Sequence, residues 1–200
     1  MLTHAEICTL VAASYTQKPT WQVADDIRAV GTRVGNEFVV AIPGTDDIAG
    51  WLDDFSFWPN RFPTIGIYHD GFGRWGLALA ALIIPKVPQD VRLIISGHSL
   101  GGALGLVFAA VWAAAKNPPA RVILFGCPRG AFIGNIVAGP LQRSALELVE
   151  YRTYGDPVPS LPPYPLWKHA KRGTMVGAPI HALAPSVADH NIALYQTVLA

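Results

Sequence analysis

Val91-Arg92-Leu93-Ile94-Ile95-Ser96-Gly97-His98-Ser99-Leu100-Gly101 is the stretch on which the reading turns. The apolar, partly β-branched run 91–96 predicts a strand, and 102–116 holds no proline and predicts a helix. Between them stands G-x-S-x-G at 97–101. A strand that turns sharply into a helix leaves its middle residue strained and aimed off the end of the sheet. The flanking glycines are needed because a Cβ at either would collide with the neighbouring strand or helix. Ser99 is thereby presented as a nucleophile. The helix N-terminus and the Leu100 backbone N–H stand close by to hold a developing oxyanion. The bland alternative is a chance glycine-rich turn, but the strand before and the helix after supply the context the motif requires.

Two hundred residues, 51% of them apolar, suffice for one domain spanning 1–200 with a sizeable core. Fifteen basic residues stand against 14 acidic ones with no basic stripe or acidic tail, so nucleic acid is not an expected partner. The cluster Lys168-His169-Ala170-Lys171-Arg172 reads as a solvated loop. The longest apolar run, 100–115, is shorter than the ~18–20 residues of a membrane span and reads as the buried helix behind the serine turn. Residues 7–13 are apolar, yet no Lys or Arg precedes them and Glu6 adjoins them, so no secretory signal is expected. Cys8 and Cys127 imply no disulfide framework. Together these features predict a reduced, cytoplasmic setting.

Along the chain, 3–15 predicts a helix, and 27–34 and 38–42 predict two strands joined at Gly35-Asn36 as an N-terminal antiparallel hairpin. Residues 48–57 have helical spacing. Helices are predicted at 71–84, 102–116, 133–141 and 187–199, and strands at 91–96, 121–125 and 146–151. This alternation implies an α/β fold whose central sheet is mostly parallel, with helices on both faces.

A serine hydroxyl is a weak nucleophile until a base takes its proton, and the base needs an acid to orient it. The acid candidates after Ser99 are Glu147, Glu150, Asp156 and Asp189. Asp156 is preferred because it sits at the carboxyl end of a strand, where α/β sites gather their functional groups. Asp189 adjoins His190, and neighbouring side chains rarely face each other. His169, His181 and His190 are the base candidates, with His190 preferred and His181 second. His98 lies inside the turn, so its ring is expected to point away from the serine side chain.

The segment Gly97-His98-Ser99-Leu100-Gly101-Gly102-Ala103-Leu104 resembles the nucleophile turn of class 3 lipases, the fungal-type triacylglycerol lipases of the α/β-hydrolase superfamily. Further segments resemble that family in order: Ala41-Ile42-Pro43-Gly44-Thr45 with Trp51-Leu52-Asp53-Asp54-Phe55, then His69-Asp70-Gly71-Phe72, then Phe125-Gly126-Cys127-Pro128-Arg129 with Gly134-Asn135. Gly155-Asp156-Pro157-Val158-Pro159 and Asp189-His190 with Tyr195 complete the set. The resemblance implies Ser99 as nucleophile, Asp156 as orienting acid and His190 as base. It also implies an oxyanion hole from the Thr45 and Leu100 amides, with the Thr45 hydroxyl as a third donor. Pro43 stands where the family usually has arginine, and Cys127 where it usually has serine or a similar residue. Trp51, Phe55 and Trp58 are expected to line or shade an acyl pocket.

Gly71-Phe72-Gly73-Arg74-Trp75-Gly76 matches a dinucleotide fingerprint, but the acid that grips the ribose is missing from the far end of the next strand. No metal-ligand spacing occurs, so neither metal nor cofactor is expected. The expected activity is that of a serine esterase or lipase acting on acyl esters. The short stretch between Thr45 and His69 leaves space for a small cover at most. A permanently open site and a preference for short to medium acyl chains follow from that. The alternatives are a long-chain triacylglycerol lipase or phospholipase with a mobile lid, a deacylase or acyltransferase on a polymer, and an inactive lipase-like binding module.

Overall fold

Apolar residues on successive positions of the central strands face opposite ways, and both faces are covered. In the computed structural model, which describes residues 1–47, 58–115, 119–132, 147–177 and 186–200, Val39, Ala41, Ile94, Ile123 and Phe125 pack with Ile7, Cys8, Val11 and Tyr195. Their strand neighbours Val40, Ile42, Leu93, Ile95, Val122 and Leu124 pack on the other face with Leu79, Ile83, Leu104, Val107 and Phe108. This is the period of two expected of strands buried on both sides. Each such Ile, Leu or Val contributes roughly 1.5–3 kcal/mol on burial.

The strands are β1 (Trp21–Ala24), β2 (Ile27–Val34), β3 (Glu37–Ile42), β4 (Pro59–Phe62), β5 (Gly66–His69), β6 (Arg92–His98), β7 (Arg121–Phe125), β8 (Ala131–Phe132), β9 (Glu147–Thr153), β10 (Trp167–Lys168) and β11 (Thr174–Val176). Seven form the main sheet in the order β1-β2-β3-β6-β7-β9-β11. β1, β2 and β3 pair antiparallel, and every pairing from β3 to β11 is parallel. Helix α1 (His4–Ala13), opened by a Thr3–Glu6 capping box, lies on one face with α4 (Ile192–Leu199). Helices α2 (Asp70–Ile83) and α3 (Leu100–Ala115) lie on the other.

The α/β architecture, the parallel centre and the N-terminal hairpin therefore match the sequence expectation. Among the described residues, no helix is long and apolar enough to cross a membrane. Three differences bear on the site. The closing helix expected over 187–199 is broken into a 3-10 turn, Val187–His190, and α4, which leaves His190 at the break. The strand before the serine runs two residues further than expected, to His98. A second, antiparallel sheet, β10-β8-β5-β4, was not expected at all. The helices expected at 48–57 and 133–141 lie outside the described residues.

Candidate active site

Ser99 stands between β6 and α3 at φ +56°, the one non-glycine residue with positive φ among those described. Its N–H donates to the Phe125 carbonyl at 3.0 Å, and its own carbonyl accepts from Gly102 N–H at 2.9 Å. A Cβ added at Gly97 would lie 2.3 Å from the Gly101 oxygen, and one added at Gly101 would lie 2.1 Å from the Ile42 oxygen. The first turn of α3 thus rests directly on the backbone at the end of β3, which only glycine permits.

Asp156 follows β9 through Gly155, whose φ is +88°. His190 Nδ1–H donates to this carboxylate, at 2.9 Å from Oδ1 and 2.8 Å from Oδ2. The Tyr195 hydroxyl donates to Oδ2 at 2.8 Å and the Val158 N–H to Oδ1 at 2.9 Å. Neither side chain of the Asp156–His190 pair has exposed surface. Gly126, at φ +56°, makes room for the pair, since a Cβ there would sit 2.8 Å from His190 Cε1 and 3.1 Å from Asp156 Oδ2. With Nδ1 engaged, Nε2 is the remaining ring nitrogen. His190 Nε2 and Ser99 Oγ are both buried polar atoms without a hydrogen-bond partner.

The competing candidates are engaged elsewhere. Glu147 pairs with Arg121 and His4. Glu150 lies 2.6 Å from His169, which removes both from the serine. The Asp189 carboxylate lies against Gly155, and its own backbone carbonyl accepts from Thr153. His181 lies outside the described residues.

His98 does not leave the site as its position in the turn suggested. Its ring stacks on that of His190, with centroids 4.6 Å apart. The Tyr15 hydroxyl accepts from the Gly44 N–H at 2.8 Å and donates to His98 Nδ1 at 2.6 Å. Tyr15 thereby ties the loop after β3 to the serine turn. Burial, and then the neighbouring His190, hold His98 well below the usual histidine range, so it is neutral. Burial also raises the Tyr15 and Tyr195 hydroxyls far above the ordinary tyrosine value, which keeps both as donors. Nothing in local spacing singled out Tyr15, which comes from the opposite end of the chain.

Thr45 is buried on the loop after β3. Its hydroxyl donates to Asp26 at 3.2 Å and accepts from the Asp47 N–H at 3.2 Å. The hydroxyl proton is thus held by Asp26. A cavity of about 280 Å³ adjoins Thr45, His98 and His190 and is bounded by Val187, Ala188 and Ile192. Ser99 itself is 0% exposed, and residues 48–57 of the short stretch from which an open site is expected lie outside the described residues. Trp58 is 74% exposed and does not adjoin that cavity. Trp51 and Phe55 lie outside the described residues.

The family model for lipase (class 3) matches residues 39–165. The chain belongs to the class 3 lipase family. It is 31% identical over 158 residues to a secreted mono- and diacylglycerol lipase of Fusarium solani, a match covering 67% of this chain and 45% of that protein. It is 26% identical over 155 residues to a chloroplastic phospholipase A1 of Arabidopsis thaliana, covering 64% and 22%. This class 3 lipase chain thus spans less than half the length of either relative. Its fold is that of Rhizomucor miehei triacylglyceride lipase, with a TM-score of 0.74 at 20% identity, covering 94% of this chain and 91% of that one. Yarrowia lipolytica Lip2 lipase gives a TM-score of 0.70 at 16% identity, covering 88% and 79%. The cytoplasmic setting expected from cysteine usage is overturned, because the relatives carry secreted and chloroplastic designations. Two cysteines, both free and buried, report on packing rather than on compartment.

Proposed function

We propose that this chain hydrolyses carboxylic esters of the acyl-lipid type through an acyl-enzyme on Ser99. The observation that carries this reading is the fully buried Asp156–His190 pair, with Nδ1 on the carboxylate and Nε2 left unpaired, together with the unpaired Ser99 Oγ. Buried polar atoms are normally satisfied, so an unpaired hydroxyl and an unpaired ring nitrogen of an oriented histidine support a role for both toward substrate. Ser99 Oγ attacks the ester carbon while His190 Nε2 takes its proton. The Leu100 and Thr45 N–H groups hold the oxyanion. The intermediate then expels the alcohol, which leaves with the proton from Nε2. Water, deprotonated by the same nitrogen, attacks the acyl-enzyme and releases the carboxylic acid. Asp156 fixes the ring tautomer and stabilises the transient imidazolium.

The relatives' designations as an acylglycerol lipase and a phospholipase A1 support acyl esters of glycerol as the substrate class. The cavity beside His190, at about 280 Å³, is at the small end of the range for small-molecule sites and supports short to medium acyl chains. The lack of exposed surface on Ser99 supports a movement that uncovers it before substrate binds. The test is hydrolysis of p-nitrophenyl esters from acetate to palmitate, with Ser99→Ala as background. Turnover should peak on short to medium chains and rise when the ester passes its solubility limit. Equal rates for the wild type and Ser99→Ala would overturn the assignment, and a peak at palmitate would overturn the chain-length reading.

A further inference from the structure

A second cavity, of about 460 Å³, shares no lining residue with the one beside His190 and is walled by Arg129, Arg152, Lys168, His169, Lys171 and Arg172. Five of the chain's 15 Lys and Arg residues therefore meet in one place. They come from the segment after β7, from β9, and from β10 and the loop that follows it. Among the described residues one carboxylate answers them. Glu150 is buried, with Oε2 2.6 Å from His169 Nδ1 and 4.0 Å from Arg152 Nη2, and Oε1 accepting from the Lys171 N–H at 3.1 Å. Arg129 spends its Nη1 on the carbonyls of Ser160 and Pro162, which are neutral acceptors. Arg152 Nε is a buried donor with no acceptor.

Other described carboxylates are paired elsewhere: Asp70 with Arg74, Asp90 with Arg33, and Glu147 with Arg121. Burial, and then the charge of Arg152, hold the Arg129 guanidinium below its ordinary range, as expected of two like charges facing one space. Such an arrangement is stable when an anion completes it. Three planar guanidiniums with two ammonium groups around them match a tetrahedral oxyanion bearing more than one charge better than a single carboxylate.

We propose that this cavity binds a phosphate group, either free or on a lipid headgroup. The site is separate from the ester-hydrolysing machinery, so Ser99→Ala leaves it intact and the two readings fail independently.

The experiment is calorimetric titration of the chain with inorganic phosphate, against acetate and chloride at matched ionic strength. It is paired with sedimentation against phosphatidylcholine vesicles with and without phosphatidic acid. Lys168 and Arg172 are exposed, so the double variant Lys168→Gln/Arg172→Gln keeps the fold. It should weaken binding about tenfold or more. Gly173→Ala removes no charge, but its Cβ would lie 2.1 Å from Arg152 Nε and displace that side chain. It should weaken binding too. Saturable titration with inorganic phosphate identifies free phosphate as sufficient. Sedimentation with phosphatidic acid vesicles and no titration identifies the headgroup. The proposal is overturned if phosphate behaves like acetate and no vesicle binding occurs, or if both variants bind phosphate and vesicles as the wild type does.

Discussion

At Ser99 the backbone is held at φ +56°, a conformation that persists in a side-chain-bearing residue only when its surroundings over-determine it. Here the determinants are the bond to Phe125 and the two glycines packed against backbone. If Ser99, His190 and Asp156 act as one unit, replacing any of them by Ala lowers kcat by about 10³-fold or more, and combining two costs scarcely more than one. Steady-state kinetics on a soluble ester checks this, and additive losses would show independent action. If the hydroxyl turns from Asp26 to the oxyanion in the reacting complex, Thr45→Val should lower kcat by about 10- to 10³-fold with little change in KM. The Thr45 hydroxyl is bonded to Asp26, so Asp26→Asn provides the control. A kcat unchanged in Thr45→Val would restrict Thr45 to its backbone amide. The sequence made the turn at Ser99 and the pairing of Asp156 with His190 legible, because a motif and strand ends mark them. It hid Tyr15 and the stacked His98, whose roles depend on which distant residues pack beside them.

Elements meet at β3, β6 and the start of α3, and the margin between them is smaller than one methyl group. Gly101→Ala would place a Cβ 2.1 Å from a β3 carbonyl, so it should destabilise by at least about 1–3 kcal/mol in urea unfolding. An unchanged midpoint would mean that α3 slides freely on the sheet. His98, at the end of β6, adds a pH dependence. Its folded-state pKa is depressed, so below the unfolded value of about 6.5 the unfolded chain takes up a proton that the folded chain does not. Its contribution to stability is full above that pH and is lost as pH falls toward the folded value. His98→Asn keeps an acceptor for Tyr15 but cannot titrate, so its stability should fall less between pH 7.5 and pH 5.5 than the wild type's. Identical slopes for the two proteins would contradict this. Strands β3, β6, β7 and β9 were legible because apolar runs bounded by turn residues announce them. The small sheet β10-β8-β5-β4 was not, because strands of two to four residues rest on tertiary pairing and carry no period of their own.

For the molecule as a whole, alternating helices and strands were enough to give the layer architecture, since each element must bury one face. The 0% exposure of Ser99 was not legible, because burial depends on which distant segments the fold brings together. Nor was the basic cavity, because 168–172 reads as a solvated loop until Arg129 and Arg152 are brought beside it. Compartment was misread from cysteine usage, a weak signal when both thiols are simply buried. All these features surround one claim, that Ser99 is the nucleophile on which acyl transfer depends. The most direct measurement is mass spectrometry of the chain after reaction with diethyl p-nitrophenyl phosphate, with residual esterase activity followed in parallel. One diethylphosphoryl group per chain should appear on Ser99, activity should fall in step with labelling, and Ser99→Ala should take up no label. Label on another residue, or esterase activity that persists once Ser99 is fully modified, would contradict the account.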